Sequence, residues 1–364
     1  MLLTRRANKA ISRWLPNEII TEIVQAAPRS DQASLCRVSK LFRDLCLPIL
    51  YRVVDLQANA SVAEFGHTVL SNPALAGLVR SYSVGPSMSM NDVSPILVDS
   101  SKAFVRLEAL SIHRRLLTET GLENLLRWTF PHLVRCNLSL VSSGYSHTEP
   151  HTLASFLIRH SGLEKLHIRD FSYGLPRPST SACIPLLRLQ QLGCPSRIIP
   201  FIAALRLKRV KLYWDDDLDV GEIENTFVAL KAMITSDVLF ISSNANCDKN
   251  LSAVVDSLSR NLPHTRTLQL LSFFSPPLTE VIGHLKNYLP RFTGLAFLSV
   301  QYEGFQAKPS TGKEEEEINV LGDVCPTLQA CRLHQRAWRK VDGMWETYPL
   351  TDFDALAGLE SWTL

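Results

Sequence analysis

The chain has no long hydrophobic run. Its longest apolar stretch, Ile198 to Leu205, is eight residues and contains Pro200. About 20 residues are needed to span a bilayer, so no membrane helix and no membrane partner are expected. Neither sign of charge is in excess: 38 Lys and Arg stand against 35 Asp and Glu, a net charge of +3 over 364 residues. That balance is too even for a general nucleic-acid binder. Eight cysteines (Cys36, Cys46, Cys136, Cys183, Cys194, Cys247, Cys325, Cys331) are scattered without a CxxC pair. Several fall in apolar strand patterns, where a thiol behaves as a small hydrophobe. Met1-Leu-Leu-Thr-Arg-Arg lacks the apolar core of a secretory signal, so reduced thiols in the cytoplasm or nucleus are expected rather than a disulfide framework. Arg5, Arg6, Lys9 and Arg13, with no acid among the first 17 residues, leave a mitochondrial presequence as the alternative.

Catalytic signatures are also missing. There is no GxSxG elbow, no phosphate-binding GxxxxGK[ST] loop and no GxGxxG. His147 and His151 have the spacing of two zinc ligands on one helix face, but the acid between them, Glu149, is misplaced, and Pro150 argues against a regular helix there. A solvated loop is the expectation. Asp215, Asp217 and Asp219 imitate the start of a calcium loop, yet Val220 stands where glycine is required and Thr226 where the closing Glu belongs. The run reads instead as an exposed loop or the cap of a following helix. Glu314 to Glu317, ahead of apolar Ile318, Val320 and Leu321, suit the first turn of a helix and its dipole. Neither a cofactor, a metal nor a catalytic residue is assigned, and no enzyme is expected.

Charged residues at 20% and hydrophobic ones at 46% do mark a folded chain. At roughly 150 residues per domain, the length fits two or three domains or one elongated repeat array. Near the N-terminus, Pro16 is pre-set for a first helical turn, and Ile19, Ile20, Ile23 and Val24 recur at helical spacing as one apolar stripe. After Pro28, Ser30 or Asp31 can cap a second helix carrying Leu35, Val38, Phe42 and Leu45 and ending before Pro48. Two such helices cannot form an independent core, so they must dock on a partner or on the rest of the chain.

Leu15-Pro16, Glu18-Ile19, Ile23, Ser34-Leu35-Cys36-Arg37-Val38-Ser39-Lys40, Phe42-Arg43 and the closing Leu50-Tyr51 follow one another in the order and spacing of the F-box, which this segment resembles. Phe42 stands where that family often has Trp. The resemblance implies binding to the Skp adaptor of cullin-based ubiquitin ligases through Leu15, Pro16, Ile19, Ile23, Leu35, Val38 and Phe42. The alternative is an ordinary helical hairpin inside the protein's own core.

Further on, the pattern apolar-x-x-apolar-x-apolar recurs. Copies are Val79/Tyr82/Val84, Leu107/Leu110/Ile112, Leu133/Cys136/Leu138, Leu163/Leu166/Ile168 and Leu189/Leu192/Cys194. Later come Leu207/Val210/Leu212, Thr265/Leu268/Leu270, Leu295/Leu298/Val300, Leu328/Cys331/Leu333 and Leu359/Trp362/Leu364, with a weak copy near Val238 to Ile241. Helical spacing fills the intervals at Leu153 to His160, Ile223 to Ile234, Leu251 to Leu262 and Leu278 to Leu289. One strand and one helix in roughly 30 residues is the unit of a solenoid whose repeats bury their faces only against neighbours. The copies resemble leucine-rich repeats. None has the Asn expected three residues after the third apolar position, where Arg115, Val141 and Phe171 stand, so an irregular array is expected. The fold class is thus α/β: a short all-α F-box followed by an irregular leucine-rich-repeat-like solenoid, with a doubly wound sheet as the alternative.

This reading divides the chain into a preamble (1–14), an F-box (15–54), a connecting segment (55–75) and a substrate-binding array (76–364). An F-box followed by such repeats resembles the F-box/leucine-rich-repeat group of fungi. The likeness implies a substrate-recognition subunit that binds the Skp adaptor, through it cullin, and a protein target. The alternative is a repeat scaffold that recruits no ligase. Strand residues that flank the inward positions point to the opposite face. Among them, Arg135, Lys165, His167, Arg169, Arg209, Lys211, Tyr213 and Arg332 are the expected target-binding set. Its charged members, His aside, are all basic, which suits an acidic or phosphorylated segment. The competing reading is a solvated strand face with incidental charge.

Overall fold

Strands form where the three-point apolar pattern recurs. In the computed structural model, which describes residues 16–85, 99–113, 119–140, 150–170, 183–214, 219–244, 251–272, 278–302 and 314–359, the second and third positions of every copy from Val79 to Leu333 lie in a strand. The first positions, Val79 through Leu328, are buried as well. The chain divides into two compact units, Met1–Leu133 and Val134–Leu364.

The first unit opens with α1 (Asn17–Ala26), α2 (Arg29–Leu35) and α3 (Lys40–Leu50). It continues with β1 (Val53–Leu56), α4 (Asn59–Ser71), α5 (Pro73–Ala76), β2 (Ser81–Val84), β3 (Ala109–His113) and α6 (Glu119–Leu126). Strands β1, β2 and β3 pair in parallel and in order. An aromatic ladder ties the end of α3 to this sheet. Tyr51 stacks on Phe65 at 6.1 Å, Phe65 on Tyr82 at 5.8 Å, and Tyr82 lies 4.9 Å from Phe104. Such pairs contribute about 0.5–1.5 kcal/mol each beyond their buried area.

Three details of the helical segment differ from the sequence reading. The second helix is broken in two, because Ser39 is extended (φ −157°) and its hydroxyl accepts from the Phe42 amide at 3.2 Å, starting α3 afresh. Neither Ser30 nor Asp31 caps α2: the helix starts at Arg29 behind Pro28, which places both inside the first turn. Pro48 lies within α3, where the Tyr51 amide still reaches Leu47 O at 3.0 Å and carries the helix to Leu50. A proline so near a helix end costs only one late backbone bond.

The second unit runs β4 (Arg135–Leu140), α7 (Pro150–Arg159), β5 (Lys165–Asp170), β6 (Ile184–Pro185), β7 (Gln191–Pro195), a 3-10 turn (Ser196–Phe201), β8 (Ile202–Ala203) and β9 (Leu207–Trp214). It continues with α8 (Val220–Lys231), β10 (Ile234–Asn244), α9 (Leu251–Asn261), β11 (Thr267–Ser272), α10 (Leu278–Tyr288), β12 (Phe297–Tyr302), α11 (Glu314–Val324) and β13 (Ala330–Leu333). The order β4-β5-β7-β9-β10-β11-β12-β13 is parallel throughout and follows the sequence. The order reversal of a doubly wound sheet is absent from these strands. Short β6 and β8 pair separately. The alternate residues Val210, Phe240, Leu268 and Leu298 share a row on the helix side, where Phe227 of α8 lies 5.5 Å from Phe240.

One backbone device recurs at the strand starts. A single carbonyl of the preceding strand's approach accepts two successive amides. Arg80 and Ser81 share Arg52 O, Glu108 and Ala109 share Arg80 O, and Glu164 and Lys165 share Val134 O. Gln190 and Gln191 share Glu164 O, and Gln329 and Ala330 share Ala296 O. The repeated geometry keeps each strand in register with the one before it.

The C-terminal end departs from the expected repeat. After β13 the chain folds back antiparallel as β14 (Arg336–Val341) and β15 (Met344–Tyr348), and then forms α12 (Leu350–Ala357). The hairpin loop is Asp342-Gly343 with φ of 50° and 88°, the left-handed pair that a two-residue turn demands. Leu359 follows the C-cap Gly358 of α12, and Trp362 and Leu364, where the strand of the last copy is expected, lie outside the described residues.

Candidate functional site

Two surfaces follow from the expected residues. On the first, the three isoleucines and the one valine of α1 divide between two adjoining faces of the helix, about 100° apart. Ile20 and Val24 are 5% and 0% exposed and form a small core with Cys46, against which Leu35, Cys36, Phe42 and Leu45 pack. Ile19 and Ile23, one turn apart, are 41% and 55% exposed, and Val38, in the turn between α2 and α3, is 52% exposed. The single apolar stripe is therefore half buried, along Ile20 and Val24, and half left open to solvent, along Ile19 and Ile23. Pro16 is exposed, Leu35 and Phe42 are half-buried, and Leu15 lies outside the described residues.

The second surface is the side of the sheet away from α8–α11. Register places Arg135 beside Lys165, Lys165 beside Gln191, and Gln191 beside Arg209. The next row holds Asn137, His167, Gly193 and Lys211, and Arg169 and Tyr213 lie one row further. Like charges directly opposite on adjacent strands oppose folding, so the Arg135–Lys165 pair works against stability. At the centre of the lane, His167 lies across Gly193 to meet Tyr213, its Nε2 2.6 Å from the phenol oxygen. A Cβ at residue 193 would fall 2.4 Å from His167 Cδ2, so only glycine lets the imidazole cross β7. The rings of His167 and Tyr213 are stacked 5.7 Å apart, and Arg169 and Lys211 lie 5.7 and 5.3 Å from the Tyr213 centroid. The cluster gathers cations around one aromatic ring.

Arg332 is placed differently from the rest of the expected set. Its guanidinium grips both carboxylate oxygens of Asp354 on α12, at 2.9 and 3.1 Å, and Nε donates to His334 O at 3.0 Å. The helix covers the β10–β13 part of this face. Phe353 and Ala357 pack with Phe297, Ala330 and Ala337, and Leu359 lies against Leu239, Ile241 and Leu271. Sequence reasoning missed this cover because Leu359 fitted the repeat. The signal that would have found it is the Asp-Gly turn followed by Pro349 and an amphipathic Phe353/Ala357 pair.

Among the described residues, no group of three His, Cys, Asp or Glu side chains is placed to hold a metal. His147 lies outside the described residues, and α7 begins at Pro150, because a first-turn proline has no bond to lose. Asp215 and Asp217 also lie outside them, whereas Asp219 caps α8, its carboxylate accepting from the Glu222 amide at 2.7 Å. Glu314 to Glu317 do occupy the first turn of α11. Burial pushes the Cys46 thiol up to about 11 and Cys136 up to about 12, and raises Cys194, Cys325 and Cys331, which keeps all five protonated and inert. A cleft of about 320 Å³ is lined by Lys231, Arg260, Leu262 and His264. Arg260 there is committed to Glu224 and Asp256, and His264 meets Thr293 at 2.8 Å. No described helix is long and apolar enough to cross a membrane.

No family model and no curated protein matches the chain. Solved structures do resemble it in outline. One is a protein of Bacteroides fragilis, 12% identical, with a TM-score of 0.41, covering 76% of this chain and 73% of that one. Another belongs to the yeast Rad7–Elc1 complex, 14% identical, with a TM-score of 0.38, covering 89% of this chain and 90% of that one. Likenesses this distant carry no argument about function.

Proposed function

We propose that this chain is a non-catalytic substrate receptor of a cullin-based ubiquitin ligase: an F-box that binds the Skp adaptor, followed by an irregular leucine-rich-repeat-like array that binds a protein target. The observation that carries the reading is the exposure of Ile19, Ile23 and Val38 beside the buried Ile20, Val24 and Cys46. The helical segment fills its own small interior and still presents apolar side chains to solvent at the positions where the F-box resemblance calls for adaptor contacts. A hairpin serving only the protein's own core would have buried them. Catalysis in this reading is proximity: the receptor holds a lysine-bearing target while partner subunits do the chemistry. The half-buried basic residues Arg135, Lys165, Arg169, Arg209 and Lys211, with His167 and Tyr213, make the lane for an acidic or phosphorylated segment of that target.

Co-purification with the Skp adaptor tests this. Burying a Leu or Ile side chain contributes roughly 1.5–3 kcal/mol, so Ile19→Asp with Val38→Asp abolishes the complex in this reading. An unmodified chain that fails to bind the adaptor sinks the receptor reading and leaves a scaffold without ligase recruitment.

A further inference from the structure

The geometry points to a binding site for a doubly charged phosphate group, bridging Arg135 of β4 and Lys165 of β5. The two residues are direct partners in the parallel register, so their side chains leave the same face of the sheet from backbones about 4.8 Å apart. Both are half-buried. Among the described residues, neither makes an ion pair or a side-chain hydrogen bond. Other arginines beside or within the strands are answered by the chain's own acids: Arg80 meets Glu108 at 3.3 Å, and Arg332 meets Asp354 at 2.9 Å. Glu164, next to Lys165 in sequence, is turned to Arg188 at 3.5 Å. Two cations face each other here with no acid supplied, which costs the fold stability. Partial burial keeps off some of the water that would screen them.

The charge to be met is two. A carboxylate brings one charge, so it neutralises one cation and leaves the other. A phosphate monoester carries about −1.5 to −2 near neutral pH and has three acceptor oxygens. It can take the guanidinium fork of Arg135 and the Lys165 ammonium at once. Gln191, 6% exposed, follows in the same row, with Arg209 beyond it. Both have interactions of their own, so they border the site and are not counted as its ligands. The inference deepens the lane proposed above and rests on it, and it commits to phosphate where that reading admits any acidic segment. The adaptor plays no part in it.

Thermal unfolding of the full chain near neutral pH is the first test. In chloride buffer, Lys165→Gln and Arg135→Gln should each raise the midpoint by about 2 °C. The double variant should melt no higher than either, because one repulsion can be removed only once. Exchanging chloride for about 10 mM phosphate at equal ionic strength should raise the parent by about 2 °C and leave both single variants where they were. An equal rise in all chains would reflect only general exclusion of the salt from protein surface and would overturn the proposal. So would a loss of stability when either residue is neutralised, since their charges would then already be met.

The second test separates the sources of the phosphate, using a fluorescent Gly-Ser peptide with one phosphoserine. Binding about ten-fold tighter than inorganic phosphate, and lost in Lys165→Gln, assigns the site to a phosphorylated chain. Binding no tighter than inorganic phosphate assigns it to the free ion, and the site stands. Equal binding of a peptide with Glu in place of the phosphoserine would overturn the doubly charged ligand and leave the acidic-segment lane intact.

Discussion

At the residue scale, single contacts decide what the sequence pattern leaves open. Glu224 of α8 accepts from Ser257 and from Asn261 (3.0 Å) and pairs with Arg260 at 2.9 Å. The Ser257 and Asn261 hydrogen bonds, with the nearby Arg260 charge, hold its carboxyl below the ordinary carboxylate range. A carboxyl favoured as its anion in the folded state stabilises above its unfolded pKa, and that stabilisation fades as pH falls through the folded one. Glu224→Gln should therefore cost about 1 kcal/mol in urea unfolding near neutral pH, and the variant and parent should converge in acid. A gap that persists well below the carboxylate range would show that the ionised form is not what matters. Gly193 is the other decisive residue. Gly193→Val puts methyl groups where the His167 ring lies, so it should break the His167–Tyr213 contact and cost about 1–3 kcal/mol. The His167 ring resonances in NMR would report the loss.

Elements owe their stability to the row of apolar residues facing the helices. Phe227 of α8 is fully buried, 5.6 Å from Trp214 and 5.5 Å from Phe240, and so joins one helix to two strands. Phe227→Ala should cost about 3–5 kcal/mol by denaturant unfolding, whereas Val228→Ala at the neighbouring exposed position should cost less than about 0.5 kcal/mol. Equal effects would mean that the helix packs with a different side inward. The N-terminal helices obey the same rule. Ile19→Asp with Val38→Asp should leave circular dichroism and melting of the chain unchanged, because both side chains already face water. Ile20→Asp with Val24→Asp places two charges in the interior and should melt α1 to α3.

For the whole molecule, the prediction concerns charge. The net charge of +3 hides a local concentration of cations on the β4–β9 strands. Retention on an immobilised poly-glutamate peptide should weaken steeply with salt, since exposed charges are screened over about 10 Å at 0.1 M. It should also collapse when Lys165, Arg169, Arg209 and Lys211 are reversed to Glu. Retention unchanged by that quadruple reversal would reduce the basic lane to an ordinary solvated face.

The strands were legible because a buried strand needs apolar residues at fixed two-residue intervals whatever surrounds it, so Leu166/Ile168 and Leu298/Val300 declare themselves locally. The ends of α9 and α10, at Asn261 and Tyr288, were legible for an equally local reason: Pro263 and Pro290 follow within two residues, and proline has no amide to donate. Periodicity at Ile19, Ile20, Ile23 and Val24 shows an apolar helix but not which two residues turn inward, because that depends on where Cys46 and Leu45 arrive from α3. Arg332 looks like Arg135 or Arg209 in the strand pattern. Only folding brings Asp354, 22 residues away, onto its guanidinium. The sequence by itself determined the run of strands and helices, since each is set by spacing within a few residues. Which apolar faces stay open, and which cations are already taken, was decided by the tertiary structure, because burial and ion pairing depend on segments that meet only on folding: α3 against α1 at one end, and α12 returned to the sheet by the β13–β15 reversal at the other.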